Sequence, residues 1–208
     1  MNFRKQYQWL MPMIIFIGAL LIGRMVRTGS VMFLFIPWNL ILAVVPLYIS
    51  YHLVKTNSRI GAGVLMLLWL LFFPNAMYII TDLFHLVKRE HVPLWYDLIL
   101  LFSSAILGAI MGFLSVINVE QYLRRFINHR SIPWVILSFF LLCGYGVYLG
   151  RYLRWNSWDV IADPVSLMGD MLQDIIHPFR NKQCWMLTLF FGVWLQIMYR
   201  YFKKVRIG

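Results

Sequence analysis

Apolar residues occur in long unbroken runs along this chain of 208 residues. A helix needs about 20 such residues to cross the hydrocarbon core of a bilayer. The runs predict roughly six transmembrane spans, at about residues 9–26, 31–54, 60–80, 94–117, 132–150 and 184–202. Strands of a membrane barrel would instead alternate apolar and polar residues over about ten positions. The pattern therefore predicts an all-α fold, a polytopic membrane bundle of six transmembrane helices.

The composition excludes a soluble protein and a separate soluble domain. Hydrophobic residues make up 61% of the chain and charged residues only 13%, which is more apolar surface than a soluble chain of this size can bury. The links between spans are short except for the stretch 151–183. We therefore predict one transmembrane domain over residues 1–208. Cys143 and Cys184 have no metal-binding or redox spacing, and we interpret them as packing residues.

The basic residues predict the orientation. With both termini in the cytoplasm, 11 of the 19 Lys and Arg residues lie on the cytoplasmic side, as the positive-inside rule favours. This predicts a multi-pass protein of the plasma membrane. The net charge of +11 indicates membrane lipids with anionic headgroups as partners. Nucleic acid is not expected as a partner, because the basic residues are scattered around the spans rather than gathered on one face.

The acidic residues are distributed unequally in this topology. Seven of the eight fall on the extracytoplasmic side, and Glu120 lies alone on the other. The seven are Asp82, Glu90, Asp97, Asp159, Asp163, Asp170 and Asp174. This distribution predicts a polar site at the extracytoplasmic membrane face.

The first polar segment of this face ends the third span. Pro74 is expected to bend the helix there. If the helix resumes, the polar residues that follow share about 80° of its circumference at 100° per residue. These residues are Asn75, Tyr78, Asp82, His85 and Arg89. Either they form a functional stripe, or Asn75 and Tyr78 satisfy the backbone near Pro74 while Asp82 and His85 contact interfacial water.

The second segment, HVPLWYD at 91–97, begins the fourth span. Asp97 lies in the first turn, where the helix dipole favours a negative charge. It is therefore either a structural residue or a member of the site.

The third segment, 148–160, leaves the fifth span and contains Arg151, Arg154, Asn156 and Asp159. Arginines at this position are expected to extend toward the headgroups, but an arginine also binds phosphate or carboxylate in a bidentate manner. Three interpretations remain open: headgroup contact, a salt bridge to Asp82 or Asp97, and anion recognition.

An amphipathic helix is predicted on the extracytoplasmic surface between spans five and six. Asp163 is the expected N-cap, Pro164 the first helical residue, and the helix should end before Pro178. Its apolar residues are expected opposite Ser166, Asp170, Gln173 and Asp174. It is either a lid over the site or an ordinary connector. Small residues also predict close helix approach at Ser104, Gly108 and Gly112, and at Gly146 and Gly150.

The motifs PNAxYxxTDLxHL, WYD and RxLRWNSWD resemble a family of bacterial integral membrane proteins known only as a domain of unknown function. The resemblance extends from about span two to span six. In that family proline is common at the position of Met77. The resemblance implies a multi-pass membrane protein and no assigned activity.

The residue types permit three functions. We favour a non-catalytic module that binds a lipid headgroup, another anionic ligand or a partner through Asn75, Tyr78, Asp82, His85, Asp97, Arg151, Arg154, Asn156 and Asp159. One alternative is an enzyme acting on a lipid or lipid-linked substrate, with Asp82 or His85 as the base. The other is a small-solute transporter. A metal site at Asp82, His85, His91 and Asp97 lacks any recognised spacing, so neither a metal nor a cofactor is predicted.

Overall fold

The computed structural model describes residues 2–88 and 92–207, and these residues form α-helices joined by short turns. The helices are α1 (Phe3–Tyr7), α2 (Met11–Thr28), α3 (Phe35–Lys55), α4 (Arg59–Tyr78), α5 (Leu94–Leu123), α6 (Ile132–Tyr152), α7 (Asp159–Ala162), α8 (Pro164–Ile176) and α9 (Lys182–Ile207). Short 3₁₀ segments lie at Gln8–Leu10, Met32–Leu34 and Ile79–His85. The expectations for Arg89, Glu90 and His91 fall outside the described residues.

Within the described ranges, five helical segments are long and apolar enough to cross a membrane: Phe3–Thr28, Met32–Lys55, Arg59–His85, Leu94–Leu123 and Ile132–Tyr152. They confirm the predicted all-α polytopic membrane fold and correspond to the first five spans. The sixth predicted span lies within α9, which is a continuous helix. This helix is not among the five apolar segments, because residues such as Gln183, Gln196 and Arg200 interrupt its apolar run.

The chain forms two compact units, Met1–Asn118 and Val119–Gly208. In the first unit, α3 and α4 pack along each other, and α4 also approaches α5 closely. A Cβ atom on Gly108 would lie 2.9 Å from the backbone oxygen of Ala76. One on Gly112 would lie 2.5 Å from the Met77 side chain. This is the close approach that the small-residue face of α5 predicts.

A buried polar cluster joins three elements of the first unit. The Asn118 Nδ2 group on α5 donates to the Tyr7 hydroxyl of α1 at 2.9 Å and to the Ser50 hydroxyl of α3 at 3.1 Å. Amide and hydroxyl groups have no water to bond within a bilayer, so they bond each other across the helix contacts.

In the second unit, α6 and α9 pack along one another at two glycines. A Cβ atom on Gly144 would lie 2.9 Å from the Thr188 backbone oxygen, and one on Gly192 would lie 2.9 Å from the Leu141 Cα. Gly192 therefore permits a backbone contact that any larger residue would obstruct.

We predict that Gly192→Ala lowers the stability of the protein by about 1–3 kcal/mol, because the added methyl group overlaps backbone atoms that cannot rotate away. Thermal unfolding of the purified protein in detergent measures this loss. The control is Gly63→Ala in α4, where a Cβ atom meets nothing within 4 Å. That change should be neutral or stabilising by up to about 1 kcal/mol. Equal melting temperatures for the two variants would contradict the close contact.

Candidate functional site

The polar residues near the end of α4 serve the backbone around them. The Asn75 side chain is half-buried, and its Nδ2 group donates to the Phe72 backbone oxygen at 3.1 Å. The backbone oxygen of Tyr78, the last residue of α4, accepts a 2.6 Å hydrogen bond from the Thr81 hydroxyl. The Asn75 contact corresponds to the structural interpretation of that residue, whereas at Tyr78 the bonded group is its backbone oxygen and the side chain involved is that of Thr81.

Asp82 and His85 lie in the 3₁₀ segment that follows. Asp82 is 2% exposed, and its Oδ2 atom accepts a 2.8 Å hydrogen bond from the Asn39 Nδ2 group of α3. His85 ends the segment with an exposed side chain, and its ring centroid lies 5.2 Å from that of Phe35. The buried acid and the exposed imidazole therefore have different surroundings.

The expected helical stripe is corrected by this geometry, because the α-helix does not resume after Tyr78. A 3₁₀ helix has about three residues per turn, so positions three apart lie on the same edge. Asp82 and His85 share such an edge with Ile79, which is fully buried. The 100° spacing that would align them with Asn75 does not apply across this junction.

Asp97 forms a buried ion pair with a residue outside the predicted site. Its carboxylate accepts hydrogen bonds from Arg24 Nε at 2.8 Å and Arg24 Nη2 at 3.2 Å, and both residues are 2% exposed. The guanidinium carbon also lies 3.8 Å from the centre of the Phe33 ring. This pair links α2 to the first turn of α5. Two apolar runs separate Arg24 from Asp97, so no local motif joins them.

In the second unit, the end of α6 carries the two predicted arginines. Arg151 lies half-buried in the last turn. Arg154 has φ of +63° and is the one non-glycine residue in the described ranges with a positive φ. The Trp155 amide nearby bonds back to the Leu149 carbonyl at 3.1 Å. The Arg154 side chain is exposed and makes no hydrogen bond or ion pair with a described residue.

Asn156 and Asp159 bond each other in the loop that carries Arg154. The Asp159 Oδ2 atom accepts from the Asn156 backbone amide at 2.6 Å and from its Nδ2 group at 3.2 Å. The Asp159 amide donates to the Asn156 carbonyl at 3.0 Å. These two predicted ligand-binding residues therefore hold the loop in shape.

Helix α8 begins and ends where the sequence predicts. The Asp163 Oδ1 atom accepts from the Ser166 amide at 3.2 Å, Pro164 is the first helical residue, and the helix ends at Ile176. On a soluble protein, the apolar side of a surface helix faces the core, but α8 has the opposite arrangement. The apolar residues Val165, Met168, Leu172, Ile175 and Ile176 are exposed, whereas Leu167 and Asp174 are buried.

The acids of α8 hold this helix against the rest of the second unit. The Asp174 carboxylate, 2% exposed, accepts from Asn181 Nδ2 at 2.7 Å and from the Tyr145 hydroxyl at 3.2 Å. Asp170 Oδ2 accepts from Trp155 Nε1 at 2.8 Å. These acids therefore face the rest of the second unit, whereas the apolar residues of α8 are exposed. The sequence contains one signal for this arrangement. Hydrogen-bond donors flank the stretch between spans five and six, and they include Tyr145, Trp155 and Asn181.

The predicted site residues thus belong to two units. Asn75, Tyr78, Asp82, His85 and Asp97 lie in the first, whereas Arg151, Arg154, Asn156 and Asp159 lie in the second. Among the described residues, no group of three or more His, Cys, Asp or Glu side chains is arranged to hold a metal ion.

Comparison with known proteins identifies a family for this chain. The family described as "Protein of unknown function (DUF1361)" matches residues 38–198. The chain belongs to DUF1361. No curated protein and no solved structure matches it. The matched range contains every predicted site residue. It does not contain Arg24, the partner of Asp97, so the match alone does not reveal this ion pair.

We predict that Arg24→Met destabilises this DUF1361 protein by about 3–5 kcal/mol, because the change leaves the Asp97 carboxylate buried without its partner. Thermal unfolding in detergent measures the loss. Arg27→Met removes an exposed charge from the same helix and should change stability by less than about 0.5 kcal/mol.

The double variant Arg24→Met with Asp97→Leu tests the same pair. It should recover much of the lost stability, because the uncompensated charge is removed. Equal stability of Arg24→Met and Arg27→Met would contradict the structural role of the pair.

Proposed function

We propose that this membrane protein binds the phosphate of an anionic lipid headgroup through Arg154, at the membrane face where α6 ends. The observation that carries the proposal is the left-handed backbone of Arg154. This conformation costs an L-residue roughly 1–2 kcal/mol, and glycine adopts it without that cost. The left-handed residue ends α6, where the Trp155 amide bonds the Leu149 carbonyl, and helices commonly end in this way with glycine. An arginine in place of glycine here, with no hydrogen bond or ion pair to a described residue, leaves its side chain available to a group outside the chain.

The surroundings of Arg154 support a position at the headgroup level. The side chains of Ile161 and Phe179 are each 85% exposed, and the apolar face of α8 is exposed as well. A helix with such a face lies in the boundary between headgroups and acyl chains. Trp158, 41% exposed, is of the type that occupies this interface. We infer that Arg154, in the loop that leads from α6 toward α8, lies at the level of the lipid phosphates.

The loop contacts support a fixed backbone around Arg154. Asn156 and Asp159 bond each other, and Trp155 bonds Asp170 of α8. We assign these residues to holding the loop and Arg154 to contacting the phosphate, with Arg151 as a second cation one turn earlier. A preordered site loses less conformational entropy when it binds.

The enzyme alternative has less support. A general base must reach the proton that it removes. Asp82 is 2% exposed and accepts a hydrogen bond from Asn39, so a substrate has little access to its carboxylate.

We predict that Arg154→Gln weakens binding of phosphatidylglycerol about five- to tenfold, because one cation contacting a headgroup phosphate is lost. Titration of the purified protein with this lipid in mixed micelles, followed by native mass spectrometry, measures the binding. Arg180→Gln is the matched control, since Arg180 is another exposed arginine of the same unit. It should keep binding within twofold.

In the same experiment, Arg154→Gly separates the effect of the side chain on binding from the effect of the backbone conformation on stability. It should weaken binding as Arg154→Gln does, but raise stability by about 1 kcal/mol, because glycine relieves the left-handed strain. Unchanged binding in both Arg154 variants, or equal loss in Arg180→Gln, would contradict the proposal.

We further propose the orientation with both termini in the cytoplasm, which requires α9 to cross the membrane. An impermeant maleimide applied to cells should label Val160→Cys in intact cells, but Val205→Cys only after permeabilisation. Both positions are exposed, whereas the native Cys143 and Cys184 are fully buried and should react little. Labelling of both variants in intact cells would show that α9 does not cross. The reverse pattern would invert the orientation.

A further inference from the structure

Glu120, the acid that the sequence leaves isolated, lies at the centre of a buried charged cluster in the second unit. Its side chain is 5% exposed and accepts hydrogen bonds from Arg124, Tyr199 and Lys203 at 2.5 Å each. The Arg124 Nε group donates to the same carboxylate at 3.0 Å. One negative charge thus holds two cations and a hydroxyl of α9 in fixed positions.

A cavity of about 110 Å³ lies beside this cluster. Its polar lining consists of Tyr199, which bonds Glu120, and of Glu120, Arg124, His129, Gln196, Arg200 and Lys203. Three of these side chains are cations and one is a carboxylate, so the cavity is positively charged. Such a lining attracts an anion, and the volume accommodates several oxygen-sized groups.

Two donors of the lining are unused within the described part of the chain. Arg200 is exposed and makes no hydrogen bond or ion pair there. The Arg124 Nη1 group lies 3.0 Å from His129 Nδ1. Because arginine can only donate, His129 Nδ1 accepts, and the neutral ring carries its proton on Nε2. That N–H group makes no other described hydrogen bond.

A buried acceptor in the same lining is also without a partner. Gln196 is 7% exposed, and its Nε2 group donates to the Pro133 carbonyl at 3.3 Å. Its Oε1 atom is buried and accepts no hydrogen bond from a described residue. A buried polar atom without a partner is costly, so a hydroxyl that a bound group donated to this oxygen would stabilise the complex.

We propose that this cavity binds a phosphate group that carries a hydroxyl, either on the phosphate itself or on the atoms next to it. Arg200 and the His129 Nε2 group donate to the phosphate oxygens, and the hydroxyl donates to Gln196 Oε1. Arginine suits this role because its planar group matches the geometry of phosphate. The proposal is independent of the Arg154 site.

The position of the cavity is compatible with two sources of this phosphate group. Residues Ile132 and Pro133, at the start of α6, line the cavity, whereas Arg154 follows the other end of the helix. The 21 residues of α6 extend over roughly 30 Å, which is the thickness of the hydrocarbon core. The phosphate therefore belongs either to a lipid headgroup with free hydroxyls at that membrane face or to an ion in the adjoining water.

The first arm of the test measures binding of free phosphate. The full-length protein in phosphatidylcholine nanodiscs is titrated with inorganic phosphate, and with sulfate at equal ionic strength, while thermal unfolding is followed. Sulfate has a similar size but no hydroxyl at neutral pH. Phosphate should therefore bind at least about tenfold more tightly than sulfate, because only phosphate can donate a hydrogen bond to Gln196 Oε1.

The second arm replaces the free ion with a lipid. Nanodiscs that contain phosphatidylglycerol, whose headgroup has a phosphate and two hydroxyls, are compared with phosphatidylcholine nanodiscs. A stabilisation by phosphatidylglycerol without a response to free phosphate identifies the lipid source. A response to phosphate in phosphatidylcholine nanodiscs identifies the free ion.

Three variants locate the binding in either arm. Arg200→Gln should weaken binding about tenfold, whereas Lys204→Gln removes the same charge from the same helix, outside the cavity lining, and should change it less than twofold. Gln196→Leu should remove the preference for the hydroxyl-bearing ligand. If the Gln196→Leu variant does not fold, the comparison of Arg200→Gln with Lys204→Gln still tests the proposal.

Several results would overturn the proposal. These are equal effects of Arg200→Gln and Lys204→Gln, equal binding of phosphate and sulfate in the ion arm, or no stabilisation in either arm.

Discussion

A charge buried in lipid has no water to stabilise it, and this constraint determines how the helices of this protein are joined. Four acidic residues in the described part of the chain are buried, and each takes partners from another helix or turn. Asp97 of α5 pairs with Arg24 of α2, and Asp82 bonds Asn39 of α3. In the second unit, Asp174 and Glu120 are bonded in the same way. Since helix packing in a bilayer gains little from the hydrophobic effect, such polar contacts specify which helices meet.

This constraint changes the meaning of the unequal acid distribution. The acids of the predicted site are largely occupied within the protein, as Asp97 is by Arg24 and Asp159 is by Asn156. Two exposed cations, Arg154 and Arg200, make no hydrogen bond or ion pair with a described residue. Both sites that we propose are therefore sites for anions, and the acids nearby bond the elements that carry the cations.

The sequence predicts those features of the fold that depend on neighbouring residues. Apolar run length predicts the spans, and the Asp163-Pro164 pair predicts the start of α8. The features that it does not predict depend on contacts between distant segments. Arg24 and Asp97 are 73 residues apart, and helix order is not encoded in any one span. Likewise, the change from α to 3₁₀ geometry after Tyr78 cannot be obtained from a fixed angle per residue.

Helix α8 shows a different relation between sequence and structure, because its sequence pattern predicts two opposed faces but not the partners of its acids. Its apolar face is exposed, while Asp170 and Asp174 bond Trp155, Tyr145 and Asn181. Hydrogen bonds strengthen where the dielectric constant is low, so this attachment is firm in a membrane. In the headgroup position that we propose for it, α8 would be a mechanical link between lipid and protein. Lateral pressure that shifted the headgroup layer would act on α8, and its bonded acids would transmit that force to the residues that hold them.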